Sequence, residues 1–390
     1  MAGALDGLRV IDFTTNLSGP YCAMLLGDQG ADVIKVERPE GEAMRQTPPF
    51  VNGESAPFML WNRNKRSVTL DLKTKDGFGA AWELCTSADV VVENFRPGVM
   101  ARLGLSYEAL AAENPGLVMT SISGFGQTGP YGSRGGFDLI TQAMSGLATI
   151  NGPENGPPFR LPIAISDVGA GMFGAYATMV ALHGRTQTGK GQHVDVSLYE
   201  SAMSFCVYEA ASYFATGKTP ERIGQRHRGS SPYQIVKAKD GYLAVGGAQQ
   251  NLWFRICHVL GRPDLPEDPR FATRADRVEN NDALVEIIEG VLATRTREEW
   301  LAALEEAGVP AGPVMNHGEV FTDPHTLARD MVVALDHPVA GRMNTIGTPV
   351  KLTATPGAIV RPAPRLGEHT EEVLATLAAN RCVSLAAAEK

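Results

Sequence analysis

Residues 8–37 read LRVIDFTTNLSGPYCAMLLGDQGADVIKVE, and this stretch decides the fold class. Its two ends, residues 8–14 and 32–37, are short runs rich in β-branched side chains, which predict strands because such side chains suit a pleated surface. Residues 20–29 lie between them and have the composition of a helix. A strand, a helix and a second strand in this order predict a βαβ unit with parallel strands.

The same alternation continues through the first half of the chain. Further strands are predicted at residues 67–72, 89–93, 117–123 and 193–198, and helices at residues 77–87 and 168–183. Repeated βαβ units build a largely parallel sheet with helices on its faces. The sequence therefore predicts an α/β fold for this part of the chain.

The composition changes near residue 216, where TGKTPERIGQRHRGSSP is polar and rich in glycine and proline, as expected of a linker. The Asp-Gly pair in QIVKAKDGYLAV, residues 234–245, then predicts a β-hairpin. Helical patterns follow at residues 251–260, 281–293 and 297–307. Short strand patterns return after Gly341, and we expect a final helix, near residues 368–379, to pack back on the first domain.

Composition and charge exclude several classes of protein. The chain has 390 residues, 44% hydrophobic and 20% charged, which is enough to bury a sizeable core. Its net charge is −8, without the basic excess of a nucleic-acid-binding protein. The longest uncharged apolar run, residues 168–182, is shorter than the roughly 20 residues that a membrane span needs. The N-terminal residues lack a signal-peptide pattern, so we expect a cytoplasmic protein that binds neither nucleic acid nor membrane.

The cysteines and the common catalytic motifs indicate no metal site. The five cysteines are Cys22, Cys85, Cys206, Cys257 and Cys382. Their number is odd and none is spaced as CxxC, so neither a disulfide framework nor a zinc site is predicted. The sequence also lacks the HExxH, EF-hand and GxSxG motifs.

Residues 124–129, GFGQTG, match the GxGxxG fingerprint of dinucleotide-binding proteins. That fingerprint opens a helix and belongs to the first βαβ unit of a domain. Here Pro130 follows, and the preceding strand is the fifth predicted rather than the first. A flexible glycine-rich loop is therefore the better interpretation.

Cations collect after the predicted strands. The stretch 62–66, NRNKR, is followed by Lys73 and Lys75, while Arg38, Arg96 and Arg102 come after neighbouring strands. Ligands of open α/β sheets bind outside the carboxyl ends of the strands. Arginines together with one aromatic ring and one amide suit a ligand that has phosphates and a ring, such as a nucleotide-containing cofactor. A solvated surface turn is the alternative interpretation of these cations.

Residues 166–171, SDVGAG, lead into the long apolar helix. Asp167 could cap the helix N-terminus by accepting free backbone N–H groups. It could also be a reactive carboxylate, with the helix dipole stabilising its charge and small neighbours leaving room for a substrate. The two interpretations are compatible.

Taken together, these segments resemble the family III CoA-transferases, which include formyl-CoA transferase, the carnitine CoA-transferases and the related α-methylacyl-CoA racemases. The resemblance covers nearly the whole chain and is specific in combination. It is carried by GLRVIDFTTNLSGPYCAMLLGDQGADVIKVERPEG, NRNKRSVTLDLK, ADVVVENFRPGVMARLGL, SISGFGQTGP, AISDVGAGMFGAYA, GKGQHVDVSLYE, GVPAGPV and PRLGEHT.

The resemblance implies a fold and an assembly. It implies a large Rossmann-like CoA-binding domain formed by residues 1–215 and 330–390. Residues 216–329 would form a linker and a small α+β domain. Two ring-shaped subunits would interlock as a homodimer.

The resemblance also implies a site. Asp167 would be the nucleophile, forming an anhydride and an aspartyl-CoA thioester. CoA or acyl-CoA would be a substrate, with no tightly bound cofactor and no metal. Backbone N–H groups of residues 124–129 and of the Gly229 loop are candidate oxyanion donors. The implied CoA contacts are Asn16, Leu17, Arg38, Leu70, Lys73, Asn94, Phe95, Arg96 and Arg102.

Two departures from relatives guide the expected chemistry. Racemases of this group have a histidine in a Gly-His-Asp pattern, whereas this chain has Phe137, which cannot move a proton. A CoA-transferase is therefore expected, with an acyl-CoA racemase as the alternative.

Leu17 and the sequence 229–231 (Gly-Ser-Ser) differ from oxalate-specific relatives. We expect a carboxylic acid acceptor, and the favoured hypothesis is a dicarboxylate with succinyl-CoA as donor. The distal carboxylate of that acceptor could meet Arg226, His227 or Arg228; a solvated linker is the alternative interpretation of these three residues.

Overall fold

The computed structural model describes residues 3–388, with side chains described through residue 379. The strands are β1 (Arg9–Asp12), β2 (Asp32–Glu37), β3 (Phe50–Val51), β4 (Glu54–Ser55), β5 (Lys65–Thr69), β6 (Val90–Glu93), β7 (Val118–Ser123), β8 (His193–Ser197), β9 (Tyr233–Lys237), β10 (Tyr242–Gly246), β11 (Ala311–Pro313), β12 (Val332–His337) and β13 (Gly341–Ile346). The helices are α1 (Ser18–Asp28), α2 (Ala56–Trp61), α3 (Lys75–Thr86), α4 (Val99–Arg102), α5 (Tyr107–Glu113), α6 (Asp138–Met144), α7 (Leu147–Ile150), α8 (Ile165–Thr188), α9 (Leu198–Ser204), α10 (Val207–Thr216), α11 (Gln250–Val259), α12 (Arg274–Glu279), α13 (Asn281–Leu292), α14 (Arg297–Glu306), α15 (His317–Thr322), α16 (Pro324–Ala328) and α17 (Thr370–Ala388).

A six-stranded parallel sheet in the order β5-β2-β1-β6-β7-β8 is the centre of the fold. The βαβ unit predicted from residues 8–37 is present, with Arg9 opposite Asp32 and Asp12 opposite Lys35. The predicted α/β class and parallel sheet are therefore confirmed. The strand order reverses between β1 and β6: the strands that follow β1 are added on one side of it, and β6, β7 and β8 are added on the other side.

Both faces of this sheet are buried, which explains why its strands are continuous apolar runs. On one face Ile11, Ile34 and Val91 pack under α3, α5 and the C-terminal helix α17. On the other face Val10 and Val33 pack under α1 and α8. The predicted return of the last helix to the first domain is thus confirmed.

Helices α1 and α8 approach closely because α8 has glycines where they meet. A Cβ atom at Gly171 would lie 2.7 Å from the Ser18 carbonyl oxygen, and one at Gly174 would lie 3.1 Å from the Sγ atom of Cys22. By length and composition α8 could cross a membrane, and half of its most apolar stretch is buried within the protein. A buried core helix can have the same length and composition.

The chain divides into two compact units. The first runs up to Leu147, from Arg160 to Ala211 and from Pro324 onward; the second contains Ala148–Phe159 and Ser212–Asp323. The division predicted from the sequence differed in assigning residues 148–159 and 212–215 to the large domain and residues 324–329 to the small one. Within the second unit, β9 and β10 form the predicted hairpin around the Asp-Gly turn and join β11 in an antiparallel sheet.

Three predicted boundaries were wrong for physical reasons. Strand β5 begins at Lys65 rather than residue 67, because the Lys65 ammonium is fully buried and paired with Asp12 of β1. Helix α8 begins at Ile165 rather than residue 168, so Asp167 lies inside the first turn and is not the N-cap. Strand β12 precedes Gly341 and pairs with β13, so the C-terminal strands begin earlier than expected.

Candidate functional site

The loops after β1 and β6 lie side by side at the reversal of strand order, the usual ligand site of such sheets. Asn94, which follows β6, joins them. Its Oδ1 accepts a hydrogen bond from the Thr15 N–H (2.9 Å) and its Nδ2 donates to the Thr15 carbonyl (2.8 Å). The amide of Asn94 therefore fixes the β1 loop, in addition to facing a cavity described below.

The β1 loop is held by a second set of contacts. Asn16 has a backbone φ of 64°, a left-handed conformation that asparagine tolerates better than most residues. Glu42 accepts the Asn16 N–H (2.8 Å), and the Trp61 indole donates to the Asn16 carbonyl (2.8 Å). Glu42 in turn pairs with the buried Lys35 (2.8 Å), so the loop is anchored to the sheet.

The buried charges beneath this loop remain ionised because they are paired. Burial disfavours the charged form of Lys35, but the carboxylates of Glu42 and Asp12 outweigh it and raise its pKa. Burial likewise opposes ionisation of Asp12, yet Lys65 and Lys35 hold its pKa below the ordinary value. Such charge-assisted pairs make a rigid base for the site.

The cations of residues 62–66 do not form the predicted anion site. Each is paired with a carboxylate: Arg63 with Asp28, Lys65 with Asp12, and Arg66 with Asp32 and Glu372. They support the sheet and the C-terminal helix instead. Lys75 begins α3 and lines neither of the two cavities described below.

A first cavity of about 420 Å³ opens beside the β1 loop. Among its lining residues are five of the nine CoA contacts implied by the resemblance, namely Asn16, Arg38, Leu70, Lys73 and Phe95. Arg38 donates through Nε to the Gly41 carbonyl (2.7 Å), which orients its guanidinium. Two cations beside apolar and aromatic side chains suit a ligand with phosphates and a ring.

A second cavity of about 180 Å³ contains the carboxylate of Asp167. Asn94, Phe95 and Arg96 also line it. Asn16 and Phe95 line both cavities, so the first cavity, with its cations, adjoins the cavity of Asp167 at these two residues. Of the remaining implied contacts, Leu17 is the N-cap of α1 and Arg102 ends α4, and neither lines these cavities.

Asp167 is half-buried and accepts no hydrogen bond from any side chain or backbone group that the structure describes. Burial, and then the negative charge of Asp138, raise its pKa to about 7. An unpaired carboxylate with a pKa near neutrality is typical of a nucleophile or base rather than of a helix cap.

Asp138 does the capping that the sequence predicted for Asp167. Its Oδ1 accepts the N–H of Ser166 in the first turn of α8 (2.9 Å), and its Oδ2 accepts from Gln142 (2.8 Å). These contacts extend α8 past the predicted start and bring a second carboxylate near Asp167. Sequence analysis missed this role because Asp138 is 28 residues away from Ser166.

The walls of the second cavity offer backbone groups but no proton-transferring ring at the racemase position. Phe137 lines the cavity and is 71% exposed. Residues 124–129 form a loop, as predicted, and the next helix is α6. Gly124 lies so close to Gly136 that a Cβ atom on Gly124 would be 2.7 Å from the Gly136 Cα atom. Glycine at both positions lets backbone groups line the site.

The residues considered for a distal carboxylate lie in the second unit. Arg226 is paired with Glu154 and lies 3.5 Å from Asp282, so its charge is already balanced. Arg226 and His227 line a cavity of about 550 Å³. We therefore do not assign the distal carboxylate to Arg226. Among the described residues no cluster of histidine, cysteine or acidic side chains could hold a metal ion.

Comparison with known proteins supplies the context for this site. The chain matches the family described as CoA-transferase family III over residues 5–370. It is 39% identical to the succinyl-CoA:glutarate CoA-transferase of Mus musculus, covering 95% of this chain and 85% of that protein. It is 40% identical to the acetyl-CoA:oxalate CoA-transferase of Acetobacter aceti, covering 94% of each. A crystal structure of a CAIB/BAIF family protein from Brucella suis superimposes with a TM-score of 0.87, at 37% identity, over 97% of this chain and 100% of that one.

Proposed function

The chain belongs to CoA-transferase family III and is a CoA-transferase. We propose that it moves CoA from succinyl-CoA to a dicarboxylic acid through a covalent intermediate on Asp167. One observation supports the covalent route most strongly. Asp167 is an unpaired carboxylate in a cavity that shares Asn16 and Phe95 with a pocket lined by cations. The names of the relatives support the choice of substrates.

The proposed reaction uses the Asp167 carboxylate as the nucleophile. A carboxylate oxygen attacks the thioester carbonyl of succinyl-CoA, the C–S bond breaks, and a mixed anhydride and the CoA thiolate form. The thiolate then attacks the Asp167 carbonyl carbon of this anhydride, which releases succinate and leaves an aspartyl-CoA thioester. Each step exchanges one acyl bond for another, so no oxidant and no net proton transfer are needed.

The second half of the reaction repeats these steps with the acceptor. A carboxylate of the acceptor attacks the aspartyl thioester and displaces the CoA thiolate, forming a second anhydride. The thiolate attacks the acyl carbon of the acceptor, which yields the new acyl-CoA and regenerates the Asp167 carboxylate. Each tetrahedral intermediate carries an oxyanion. Gly124, Gly135 and Gly136 line the cavity, and their backbone N–H groups would be the donors that stabilise it. The N–H groups of Gly126 and Gln127 are already bonded to Ser123 and Asp195.

The raised pKa of Asp167 suits this role. Only the ionised carboxylate is nucleophilic, and with a pKa of about 7 roughly half of the molecules carry it at neutral pH. A more basic carboxylate is also a better nucleophile. The lack of stabilising contacts around Asp167 therefore makes its carboxylate more nucleophilic, while roughly half of the molecules still carry the ionised form at neutral pH.

CoA would occupy the first cavity. Arg38 and Lys73 would bind its phosphates, and Leu70 and Phe95 would pack against its ring. Asn94 and Arg96 line the second cavity, where the pantetheine end would approach Asp167. Leu17 and Arg102 are carried as CoA contacts by the resemblance alone.

The covalent route can be tested with intact-protein mass spectrometry. The enzyme is incubated with succinyl-CoA and then with hydroxylamine, which converts an activated aspartate into a hydroxamate. We expect a hydroxamate on Asp167, absent from Asp167→Asn, and present in Glu113→Gln, which removes an exposed carboxylate elsewhere. If wild type and Asp167→Asn are both unmodified while CoA transfer to glutarate proceeds, the covalent route is wrong.

We also propose that the chain forms a homodimer. Helix α8 exposes large apolar side chains, among them Met172 (53%), Tyr176 (62%) and Val180 (50%). Contiguous exposed apolar surface of this kind commonly marks an interface. Light scattering of the purified protein should give twice the chain mass of 41.6 kDa, and Tyr176→Glu should give the monomer; a wild-type monomer would disprove the proposal.

A further inference from the structure

A polar cluster formed by residues of β6, β7 and β8 takes no part in the reaction described above. Glu93 is its buried member, with 4% of its surface exposed. The carboxylate of Glu93 accepts the Phe95 N–H (2.8 Å) and a hydrogen bond from the Ser121 hydroxyl. The Ser121 oxygen lies 2.8 Å from Nε2 of His193, which is exposed. The cluster thus connects the loop after β6 with the solvent.

Glu93 differs from the paired carboxylates under the β1 loop because anions rather than cations surround it. Burial, together with the negative charge of Asp195 on β8, raises the pKa of Glu93 to about 7 against the hydrogen bonds from Ser121 and Phe95. Around His193, burial lowers the pKa while Asp195 and Glu108 of α5 oppose that change. The Tyr107 ring stacks on His193 with centroids 5.4 Å apart.

The residue that Glu93 holds lies at the junction of the site. Phe95 lines both the first cavity and the second cavity, which contains Asp167. Its neighbour Asn94 is fixed from another direction by its two hydrogen bonds with Thr15. A Cβ atom at Gly135 would lie 2.9 Å from the Arg96 guanidinium, so the lack of a side chain there leaves room for Arg96. The Phe95 N–H is the contact that ties the middle of this loop to the sheet, and its acceptor is Glu93.

We propose that Glu93 is a positioning residue, whose ionised carboxylate holds the loop of residues 94–97 in the conformation that binds CoA. A hydrogen bond to an ionised acceptor is stronger than one to a neutral acceptor. Protonation of Glu93 should therefore loosen Phe95 and weaken CoA binding. This inference rests on the proposed binding of CoA in the first cavity, but it concerns a residue that touches neither CoA nor Asp167.

The test is direct CoA binding by calorimetry between pH 5.5 and 8.5, for wild type, Glu93→Gln and the control Glu113→Gln. Glutamine keeps an acceptor for the Phe95 N–H but cannot ionise, so it represents the protonated state at every pH. At pH 8.5 we expect the Kd of Glu93→Gln to exceed that of wild type by about tenfold. At pH 5.5 the two Kd values should be within about twofold, because wild-type Glu93 is then protonated.

The ratio of the two Kd values is the informative quantity, since titration of CoA itself cancels in it. A ratio that is near one throughout, or large but independent of pH, would overturn the proposal. Ser121→Ala supplies a second variant that keeps the carboxylate. Ser121→Ala removes a hydrogen-bond donor to the ionised Glu93 carboxylate, so Glu93 should ionise at higher pH. The ratio of the Kd of Glu93→Gln to the Kd of Ser121→Ala should therefore begin to rise at a higher pH than the ratio with wild type. If both ratios rise at the same pH, Ser121 does not support Glu93 as proposed.

Failure of this inference can be distinguished from failure of the proposed function. If CoA does not bind to wild type at any pH, the proposed site is wrong and Glu93 is not at issue. If CoA binds and Asp167 is labelled after incubation with succinyl-CoA, but Glu93→Gln binds CoA like wild type, only the role of Glu93 is disproved. The melting temperature of each variant, measured at both ends of the pH range, confirms that all binding data come from folded protein.

Discussion

Replacing Asp138 by asparagine should make the enzyme more active in mild acid. The variant removes one negative charge beside Asp167 while its side-chain oxygen can still accept the Ser166 N–H. Asp138 is the only charged group that acts on the pKa of Asp167 among the described residues, and its influence is smaller than that of burial. Neutralising it should therefore lower the pKa of Asp167 without removing the nucleophile.

The size of the effect follows from these two causes. The pKa of Asp167 rises from an ordinary 3.8 to about 7, so Asp138 accounts for less than half of a rise of roughly 3. If its removal lowers the pKa by about 1, the ionised fraction at pH 6 increases from roughly one in eleven to one in two. Formation of the Asp167 adduct at pH 6 should then be about fivefold faster.

The assay is single-turnover adduct formation with succinyl-CoA at pH 6 and pH 9, with every sample trapped in hydroxylamine at one fixed pH. At pH 9 Asp167 is ionised in both proteins, so that rate reports any change in geometry. The ratio of the rates at pH 6 and pH 9 reports the ionisation alone. The reasoning fails if Asp138→Asn and wild type have the same ratio, or if Glu113→Gln, which removes a remote exposed charge, changes it equally.

Three further predictions use the same geometry. Asp167→Asn should raise the free energy of unfolding by about 1–4 kcal/mol at pH 8, because the folded-state pKa of Asp167 lies above its ordinary value and ionisation opposes folding. This advantage should be full above pH 7 and decline towards pH 4, which urea denaturation at several pH values can measure. Lys73→Met should weaken CoA binding about tenfold and reduce its salt dependence, whereas Lys75→Met, outside the cavity, should leave both unchanged in calorimetry. Asn94→Asp should raise the KM for acyl-CoA about tenfold with a smaller change in kcat, because a second acceptor would face the Thr15 carbonyl; an unchanged KM in steady-state assays would contradict the role assigned to Asn94.

The fold was predictable because its signals are local. Residues 32–37 form the strand expected from their β-branched run, and the Asp-Gly turn at 240–241 joins two strands as expected. Both depend on backbone preferences of neighbouring residues. The prediction that Asp167 is the nucleophile came from its neighbours in the same way, through the small residues that surround it and the resemblance of the segment.

The charge pairing was not predictable because it joins residues far apart in sequence. Arg63 and Lys65 looked like ligand-binding cations, yet Asp28 and Asp12 neutralise them across 35 and 53 residues. A sequence without the structure gives the number of charges but not which of them meet. The capping role of Asp138 was missed for the same reason, since its contact with Ser166 depends on how α6 packs beside α8.

This pairing also divides the buried carboxylates by role. Asp12 and Glu37 have lysine or arginine partners that hold their pKa values below the ordinary range, so each contributes stability at neutral pH. Asp167 and Glu93 have no such cation, and burial raises the pKa of each to about 7. An unpaired buried carboxylate opposes folding once it ionises. Asp167 and Glu93 are therefore the carboxylates that we expect to respond to pH near neutrality, Asp167 through the chemical step and Glu93 through its hydrogen bond from the Phe95 N–H.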